Sequence, residues 1–217
     1  MLRARRVLDA AGATIHTRAM LGLVVATDDR WVDVALADPD ALLVDHAHCE
    51  MKAASNAMSL AVRYAERSTL VTAMIALAEE ELAHFRRVHE LLVARGVALG
   101  PPPIDAYVAA LRRAAHGPRG TSLVDRLLVA ALIEARSCER FSILARRAPA
   151  PLGAFYEELL ASEAGHYRAF VDLAVVEGAR DGLDEASVRA RLGVLAEKEG
   201  AIVGGLSTSP ARGTVHG

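Results

Sequence analysis

The sequence lacks the residue patterns that mark several large protein classes. It has two cysteines and no Cys-x-x-Cys pair, which excludes a disulfide framework and the usual zinc and iron–sulfur motifs. The segment 1–10 has no apolar signal core, and the apolar runs 70–78 and 127–133 are too short to span a bilayer. We therefore expect a cytoplasmic protein that has no membrane partner.

Aromatic residues and lysine are also scarce, and the net charge is small. A formal charge of −2 gives no overall basic character, so composition alone does not indicate a nucleic-acid partner, although it leaves open a local basic patch. Of the 25 basic residues, all but Lys52 and Lys198 are arginine. This excess fits phosphate recognition by guanidinium groups, or a compositional bias that also enriches alanine and glycine.

What the sequence does have is a helical pattern. Hydrophobic residues make up 53% of the chain and aromatic residues 4%, which is typical of closely packed helices rich in alanine, leucine and valine. Apolar residues recur at helical spacing in four long segments and two shorter ones. The long helices are predicted at 39–66, 68–95, 122–147 and 152–177, and the short ones at 104–115 and 184–197.

The connections between these helices indicate the topology. Residues 96–121 include three consecutive prolines and form a long crossover, whereas the other two connections between long helices are short. This predicts an all-α, ferritin-like four-helix bundle with short accessory helices. We expect a single domain at 1–200, with the fourth long helix stopping at Gly178, and a disordered tail at 201–217.

Charged residues interrupt the apolar face of every long helix. Two helices carry a Glu-x-x-His pair, and the helix before each carries a lone glutamate. Residues at i and i+3 lie one turn apart and about 60° around the helix, so both can reach one ion. Four buried carboxylates would be driven to protonate unless two divalent ions balanced their charge. The six predicted ligands are Glu50, Glu81, His84, Glu134, Glu163 and His166.

Carboxylate and imidazole donors suit iron or manganese, and the order of the six follows the ferritin-like di-iron pattern. Glu139 lies about 140° around the helix from Glu134, so we expect it at the surface or as a supporting partner. His46, one turn before Glu50, either supports that ligand or is an ordinary helix-start histidine. Three further histidines, His48, His89 and His116, are predicted at the surface. Both cysteines, Cys49 and Cys138, are predicted in the core.

Four segments together resemble the MiaE family of bacterial tRNA hydroxylases: DHAHCEMKAAS, EEELAHF, IEARSCERF and FYEELLASEAGHY. The resemblance covers about residues 31–175. It implies a non-haem di-iron monooxygenase that hydroxylates the isopentenyl group of 2-methylthio-N6-isopentenyladenosine beside the tRNA anticodon. The family's ligands correspond to the same six residues, bound to two iron ions. One departure is Gly165, where the family leads us to expect a basic residue.

The same resemblance implies dioxygen as co-substrate, two electrons from a separate reductase, and an apolar pocket for the prenyl chain. Candidate pocket residues are Leu60, Phe85, Phe141 and Tyr167. Six arginines near the ligand helices either contact RNA phosphates or lie on solvated faces: Arg86, Arg87, Arg136, Arg140, Arg146 and Arg147. We expect a monomer or small homo-oligomer. The alternative is a ferritin-like protein that oxidises and stores iron, or that binds metal without oxygenase activity.

Overall fold

The computed structural model describes residues 21–117 and 122–206, and their regular secondary structure is helical. These ranges contain no β-strand, which confirms the all-α prediction. The connection between the second and third long helices contains a short helix, so the long crossover is also confirmed. The helices are α1 (Arg30–Ala37), α2 (Pro39–Arg63), α3 (Ser68–Ala94), α4 (Ala106–Ala115), α5 (Leu123–Arg147), α6 (Leu152–Arg180) and α7 (Glu185–Leu206).

Residues 33–104 form one compact unit, in which α2 packs against α3. The α2 helix begins as predicted, because the Asp38 side chain accepts a hydrogen bond from the Ala41 amide and Pro39 occupies the first turn. It ends at Arg63 rather than at 66. After α3, Gly96 adopts a φ of +70°, a conformation that favours glycine and closes the helix at the predicted position.

The second compact unit comprises, among the described residues, 21–32, 105–117 and 122–206. In it α5 packs along α6, while α7 contacts α4, α5 and α6. The Ser122 side chain caps α5 by accepting a hydrogen bond from the Asp125 amide at 3.0 Å. Between residues 127 and 142 every side chain of α5 is buried except that of Ile133. The helix therefore has almost no solvent-facing side over its central turns.

Besides the end of α2, the structure differs from the sequence predictions in one additional helix and in the ends of two others. The short helix α1 was not predicted. The α6 helix passes through Gly178 and ends at Arg180. This glycine permits close packing against α7, since a Cβ there would lie 2.8 Å from Val188 Cγ2. The α7 helix continues to Leu206, so residues 201–206, which we assigned to the tail, are helical. The remaining tail, 207–217, lies outside the described residues, and the single-domain boundary at 1–200 stays a prediction.

None of the helices in the described ranges combines the length and the apolar character needed to cross a bilayer. The prediction that no apolar run spans a membrane agrees with this finding.

The close contact at Gly178 gives a testable difference between two glycines. A Cβ added at Gly193, in α7, would have open space around it, so Gly193→Ala is expected to stabilise the protein by up to about 1 kcal/mol through helix propensity. Gly178→Ala gains the same propensity but crowds the stiff, buried Val188, at a cost of about 1–3 kcal/mol. Urea unfolding should therefore rank Gly178→Ala as the less stable variant. Equal stability of the two variants would contradict the close contact.

Candidate metal centre

Three of the predicted ligands come together in the unit formed by residues 33–104. Glu50 lies on α2, and Glu81 and His84 lie one turn apart on α3; we call these residues the first half-site. All three are buried, and one ligand atom of each lies within 4.8 Å of the others. His84 Nδ1 is 3.6 Å from Glu50 Oε2 and 3.7 Å from Glu81 Oε2. The side chains thus converge as the Glu-x-x-His spacing predicts.

His46 supports the first half-site from the preceding turn of α2. Its Nε2 lies 2.5 Å from Glu50 Oε1, and the imidazole is fully buried. Burial alone would raise the pKa of Glu50, but the neighbouring His46, together with His84 and Glu81, holds it well below its ordinary range. Glu50 is therefore an ionised carboxylate. Of the two roles left open for His46, the structure favours the supporting one.

The electrostatics of the first half-site favour positive charge beside its carboxylates. Burial would lower the pKa of His84, but Glu50 and Glu81 outweigh that effect and raise it to about 10. Two buried carboxylates that stabilise a proton on the imidazole between them would also stabilise a divalent cation. The donor set, two carboxylates and one imidazole, is one that iron and manganese accept. The residues present therefore fit a metal ion.

The other three predicted ligands lie in the second unit, on α5 and α6; Glu134, Glu163 and His166 form the second half-site. Their exposed fractions are 7%, 3% and 4%. A carboxylate oxygen of Glu134 and a ring nitrogen of His166 lie within 4.8 Å of each other, and Ser162 Oγ is 3.5 Å from His166 Nε2. The two half-sites use the same donor set on the same kind of helical hairpin.

Several other polar residues lie where the sequence analysis did not place them. His48, predicted at the surface, is buried with its Nε2 3.3 Å from the Leu99 carbonyl oxygen. Arg136 and Arg140, considered as phosphate contacts or solvated residues, are 0% and 4% exposed. Glu139 is also buried and forms an ion pair with Arg136, so the surface alternative for it was wrong. Glu139 therefore pairs with an arginine of its own helix.

Other candidates remain where they were expected. His89 and His116 are exposed, and so are three of the arginines, Arg86, Arg146 and Arg147. Arg87 is half-buried. Among the residues proposed to line a prenyl pocket, Leu60 and Phe141 are buried, whereas Phe85 and Tyr167 are half-buried. A pocket role for these four residues stays a prediction. The Gly165 backbone is exposed and has space for a Cβ.

The two cysteines should differ in reactivity. Cys138 is 3% exposed, and burial, together with Glu134 and Glu139, raises its pKa to about 11. About 0.1% of such a thiol is ionised at pH 8, and the thiolate is the reactive form. Cys49 is only partly buried. Peptide mass spectrometry after iodoacetamide treatment at pH 8 is expected to show Cys49 modified at least about ten-fold faster than Cys138. Equal rates would contradict the burial of Cys138.

A buried polar cluster in the second unit was not predicted from the sequence. Arg136 contacts Glu139 on its own helix and Glu199 on α7, and Tyr107 of α4 donates a hydrogen bond to Glu199 at 3.0 Å. The i, i+3 spacing of Arg136 and Glu139 was a signal that could have suggested the first pair. Nothing in the local pattern marked Glu199, because it is the last of three consecutive charged residues and directly precedes Gly200.

The helical hairpins, each burying a lone glutamate together with a Glu-x-x-His pair, place the chain in the ferritin-like class of all-helical proteins with a carboxylate–histidine cluster. Sequence comparison gives the particular family. The model of the MiaE family, tRNA-(MS[2]IO[6]A)-hydroxylase, matches residues 15–212, and the chain belongs to this family. Members of it are hydroxylases, so the protein is an oxidoreductase, as the sequence analysis predicted.

Individual relatives agree with this assignment. The tRNA 2-(methylsulfanyl)-N(6)-isopentenyladenosine(37) hydroxylase of Pseudomonas putida is 47% identical over 148 residues, which cover 68% of this chain and 72% of that protein. The Salmonella typhimurium enzyme of the same name is 38% identical over 112 residues, covering 52% and 42%. A solved structure from Synechococcus, described as Protein 43 with aldehyde deformylating oxygenase activity, has a TM-score of 0.80 at 39% identity and covers 89% of this chain and 94% of that one.

Proposed function

We propose that the protein is a di-iron monooxygenase that hydroxylates the isopentenyl group of 2-methylthio-N6-isopentenyladenosine in tRNA, near the anticodon. The first and second half-sites would together hold two iron ions through Glu50, Glu81, His84, Glu134, Glu163 and His166. The observation that carries this proposal is that each of two helical hairpins of a MiaE family member buries two glutamates and a histidine in the same order along the chain. Two divalent ions would balance the four carboxylates.

The bound iron pair would supply dioxygen activation, which no amino-acid side chain provides. The overall reaction consumes dioxygen, two electrons and two protons for each carbon–hydrogen bond converted to a hydroxyl, and it releases one water. As the resemblance to the MiaE family implies, the electrons would come from a separate reductase. The protein's part is to hold the ligands and to exclude bulk water from the buried donors.

Particular residues would carry out these tasks. His46 orients Glu50 and keeps it ionised through the contact at 2.5 Å, as partners of metal ligands commonly do. Ser162 lies beside His166 and can accept or donate according to the imidazole tautomer. Both contacts restrict the ligand side chains before any ion arrives, which reduces the entropy lost on binding.

The substrate assignment is supported by the names of two relatives, both tRNA hydroxylases for the same modified adenosine. An adenosine in an anticodon loop can be recognised through loop shape and base stacking. The exposed Arg86, Arg146 and Arg147 are the candidates for phosphate contacts, whereas Arg136 and Arg140 are excluded by burial. A cytoplasmic location and a monomeric or small homo-oligomeric state stay predictions.

The direct test is nucleoside mass spectrometry. Iron-loaded protein is incubated with a chemical reductant, dioxygen and tRNA from cells that lack prenyl-adenosine hydroxylation, and the digested nucleosides are compared with a reaction from which dioxygen is omitted. We expect one oxygen atom to be added to the methylthio-isopentenyladenosine, with two irons bound per chain. Absence of the hydroxylated nucleoside, with two irons confirmed, would contradict the tRNA assignment but not the metal site.

A second candidate is favoured by the Synechococcus relative, whose description names aldehyde deformylating oxygenase activity. The same incubation is therefore repeated with a long-chain aldehyde in place of tRNA, and the products are analysed by gas chromatography. Hydrocarbon formation without tRNA hydroxylation would replace our proposal by the aldehyde activity. The storage alternative is tested by native mass, because a ferroxidase that stores iron requires a cage-forming oligomer.

A further inference from the structure

The buried polar cluster of the second unit joins four parts of the chain, and the guanidinium of Arg136 contacts three of them. Arg136 on α5 donates from Nε and Nη2 to the Glu199 carboxylate on α7, at 2.9 and 2.8 Å. Its Nη1 contacts Glu139 Oε2 and donates to Thr27 Oγ1 at 3.2 Å, and its Nη2 also donates to the Val25 carbonyl oxygen at 2.9 Å. One guanidinium thus connects α5, α7 and the segment 25–27. We call Thr27, Tyr107, Arg136, Glu139 and Glu199 the α5 anchor.

The carboxylates of the anchor are held from several directions. Glu139 accepts hydrogen bonds from the Thr27 hydroxyl at 2.6 Å and from the Thr27 amide at 3.2 Å. Arg140 lies next to the anchor, with its guanidinium carbon 4.9 Å from the centre of the Trp31 ring. The two arginines balance the charge of the two glutamates. This balance leaves no net charge for a ligand to neutralise, so the cluster is a connection within the protein rather than a binding site.

The anchor lies on the side of α5 opposite the metal ligand. Relative to Glu134, the side chains of Arg136, Glu139 and Arg140 are rotated by about 140 to 240° around the helix axis. Cys138 is rotated by only about 40° and shares the face of Glu134, with its Sγ 3.9 Å from the Leu160 carbonyl oxygen of α6. The anchor therefore contacts α7 and the segment 25–27, while the opposite face of α5 presents Glu134 to α6.

Apolar packing does not by itself specify the rotation of α5. A helix with one solvent-facing side is oriented by that side, but α5 is buried all round over residues 127–142 apart from Ile133. Small side chains occupy many of these positions: Ala130, Ala131, Ala135, Ser137 and Cys138. Directed hydrogen bonds from a planar guanidinium, in contrast, are satisfied in one orientation only. Buried ion pairs add little stability over apolar residues of similar size, and specifying one arrangement is their best-attested role.

The segment 25–27 is held in place independently of the charges. Gly200 follows Glu199 on α7, and a Cβ at this position would lie 2.8 Å from Val25 Cγ2. The absence of a side chain lets the segment lie directly against α7, which brings the Val25 carbonyl and the Thr27 hydroxyl within reach of Arg136. The glycine in α7, which interrupts a helical pattern in the sequence, is explained by this contact.

We propose that the α5 anchor is a set of positioning residues that fixes the rotation of α5 and so keeps Glu134 turned toward His166. The anchor acts through α5, the helix that carries Glu134. The inference rests on the proposed function only for the statement that Glu134 binds metal. The orientation of α5 itself can be measured without any metal.

Two sets of variants distinguish an effect on the orientation of α5 from an effect on the overall stability of the protein. Thr27→Val removes the hydroxyl that bridges Glu139 and Arg136 while keeping the shape, and Thr27→Ser is its matched control because it keeps the hydroxyl. The double variant Arg136→Met/Glu199→Gln removes one positive and one negative charge, so that Arg140 and Glu139 still balance each other. The amide oxygen of the glutamine can still accept from Tyr107. This pair disconnects α5 from α7 without leaving a net buried charge.

Two readouts are used. The first is the iodoacetamide labelling rate of Cys138 in the metal-free protein, since this thiol shares the Glu134 face. The second is anaerobic titration with Co²⁺, followed by its visible absorption. In Thr27→Val and in the double variant we expect Cys138 to be labelled faster than in the wild-type protein, by more than the increase in the globally unfolded fraction accounts for. We also expect Co²⁺ to bind about 10–100-fold more weakly, the effect typical of losing a group that orients metal ligands. Thr27→Ser should match the wild-type protein.

Urea unfolding of each variant gives the globally unfolded fraction against which labelling is compared. The proposal is overturned if Cys138 labelling in both altered variants equals that of the wild type, or if it rises only as much as the unfolded fraction. If the wild-type protein itself binds fewer than two Co²⁺ ions while the variants label faster, the proposed metal site fails and the positioning of α5 stands.

Discussion

Glu134→Ala is expected to abolish hydroxylation and to lower the iron bound per chain below two. Glu134 is 7% exposed and is the one carboxylate that α5 contributes to the second half-site. Its loss removes a donor and leaves the charge of a bound ion less balanced. Activity should fall by more than about 100-fold, the upper end of the effect seen for residues that only support ligands. Metal analysis by mass spectrometry and the nucleoside assay measure the two quantities.

The control for this variant must be an acid outside the cluster. Glu139 is unsuitable, although its position around the helix separates it from Glu134, because its replacement disturbs the buried ion pair with Arg136. Glu157 on α6 is exposed, and Glu157→Ala should retain two irons and full activity. If Glu134→Ala also retained two irons, its assignment as a ligand would be wrong.

The helices and the six ligand positions could be predicted because their signal is local. An apolar stripe at a spacing of three to four residues predicts a helix, and an acid within that stripe predicts a buried acid. The observed limits of α2, α3 and α5 lie within a few residues of the predictions. All six candidate residues are buried, and each hairpin brings its lone glutamate close to a histidine. Their binding of iron stays a prediction.

What could not be predicted depends on contacts between distant parts of the chain. Gly178 was interpreted as the end of a helix, and the last helix was predicted to end at 197, before Gly200. Each glycine instead allows a distant residue, Val188 or Val25, to approach closely. Arg136 and Glu139 fell outside the apolar stripe of α5. Arg136 was therefore assigned to RNA phosphates or to a solvated face, and Glu139 to the surface or to a supporting role. Because α5 is covered on almost every side, its apolar period does not separate buried from exposed positions. Glu199, the partner of Arg136, lies in another helix 63 residues away.

Arg136→Met is expected to destabilise the fold by about 3–5 kcal/mol, because removing one partner leaves buried carboxylates without their counter-charge. Such a loss is a large part of the roughly 5–15 kcal/mol that stabilises an ordinary domain. Arg136 is 0% exposed and forms ion pairs with Glu139 and Glu199. Both acids are buried as well, so water cannot replace the lost guanidinium. Arg113→Met, at an exposed arginine of α4, is the matched control and should change stability by less than about 0.5 kcal/mol.

Adding Glu199→Gln to Arg136→Met should recover part of the lost stability, since the second change removes the carboxylate that the first leaves unbalanced. The two substitutions are therefore expected to be non-additive by about 0.5–3 kcal/mol in the free energy of unfolding. Urea unfolding of the wild type, both single variants and the double variant completes the thermodynamic cycle. Strict additivity, or a double variant less stable than Arg136→Met, would show that charge balance does not govern this cluster. Recovery of stability without recovery of slow Cys138 labelling would separate what the ion pair contributes to folding from what it contributes to the orientation of α5.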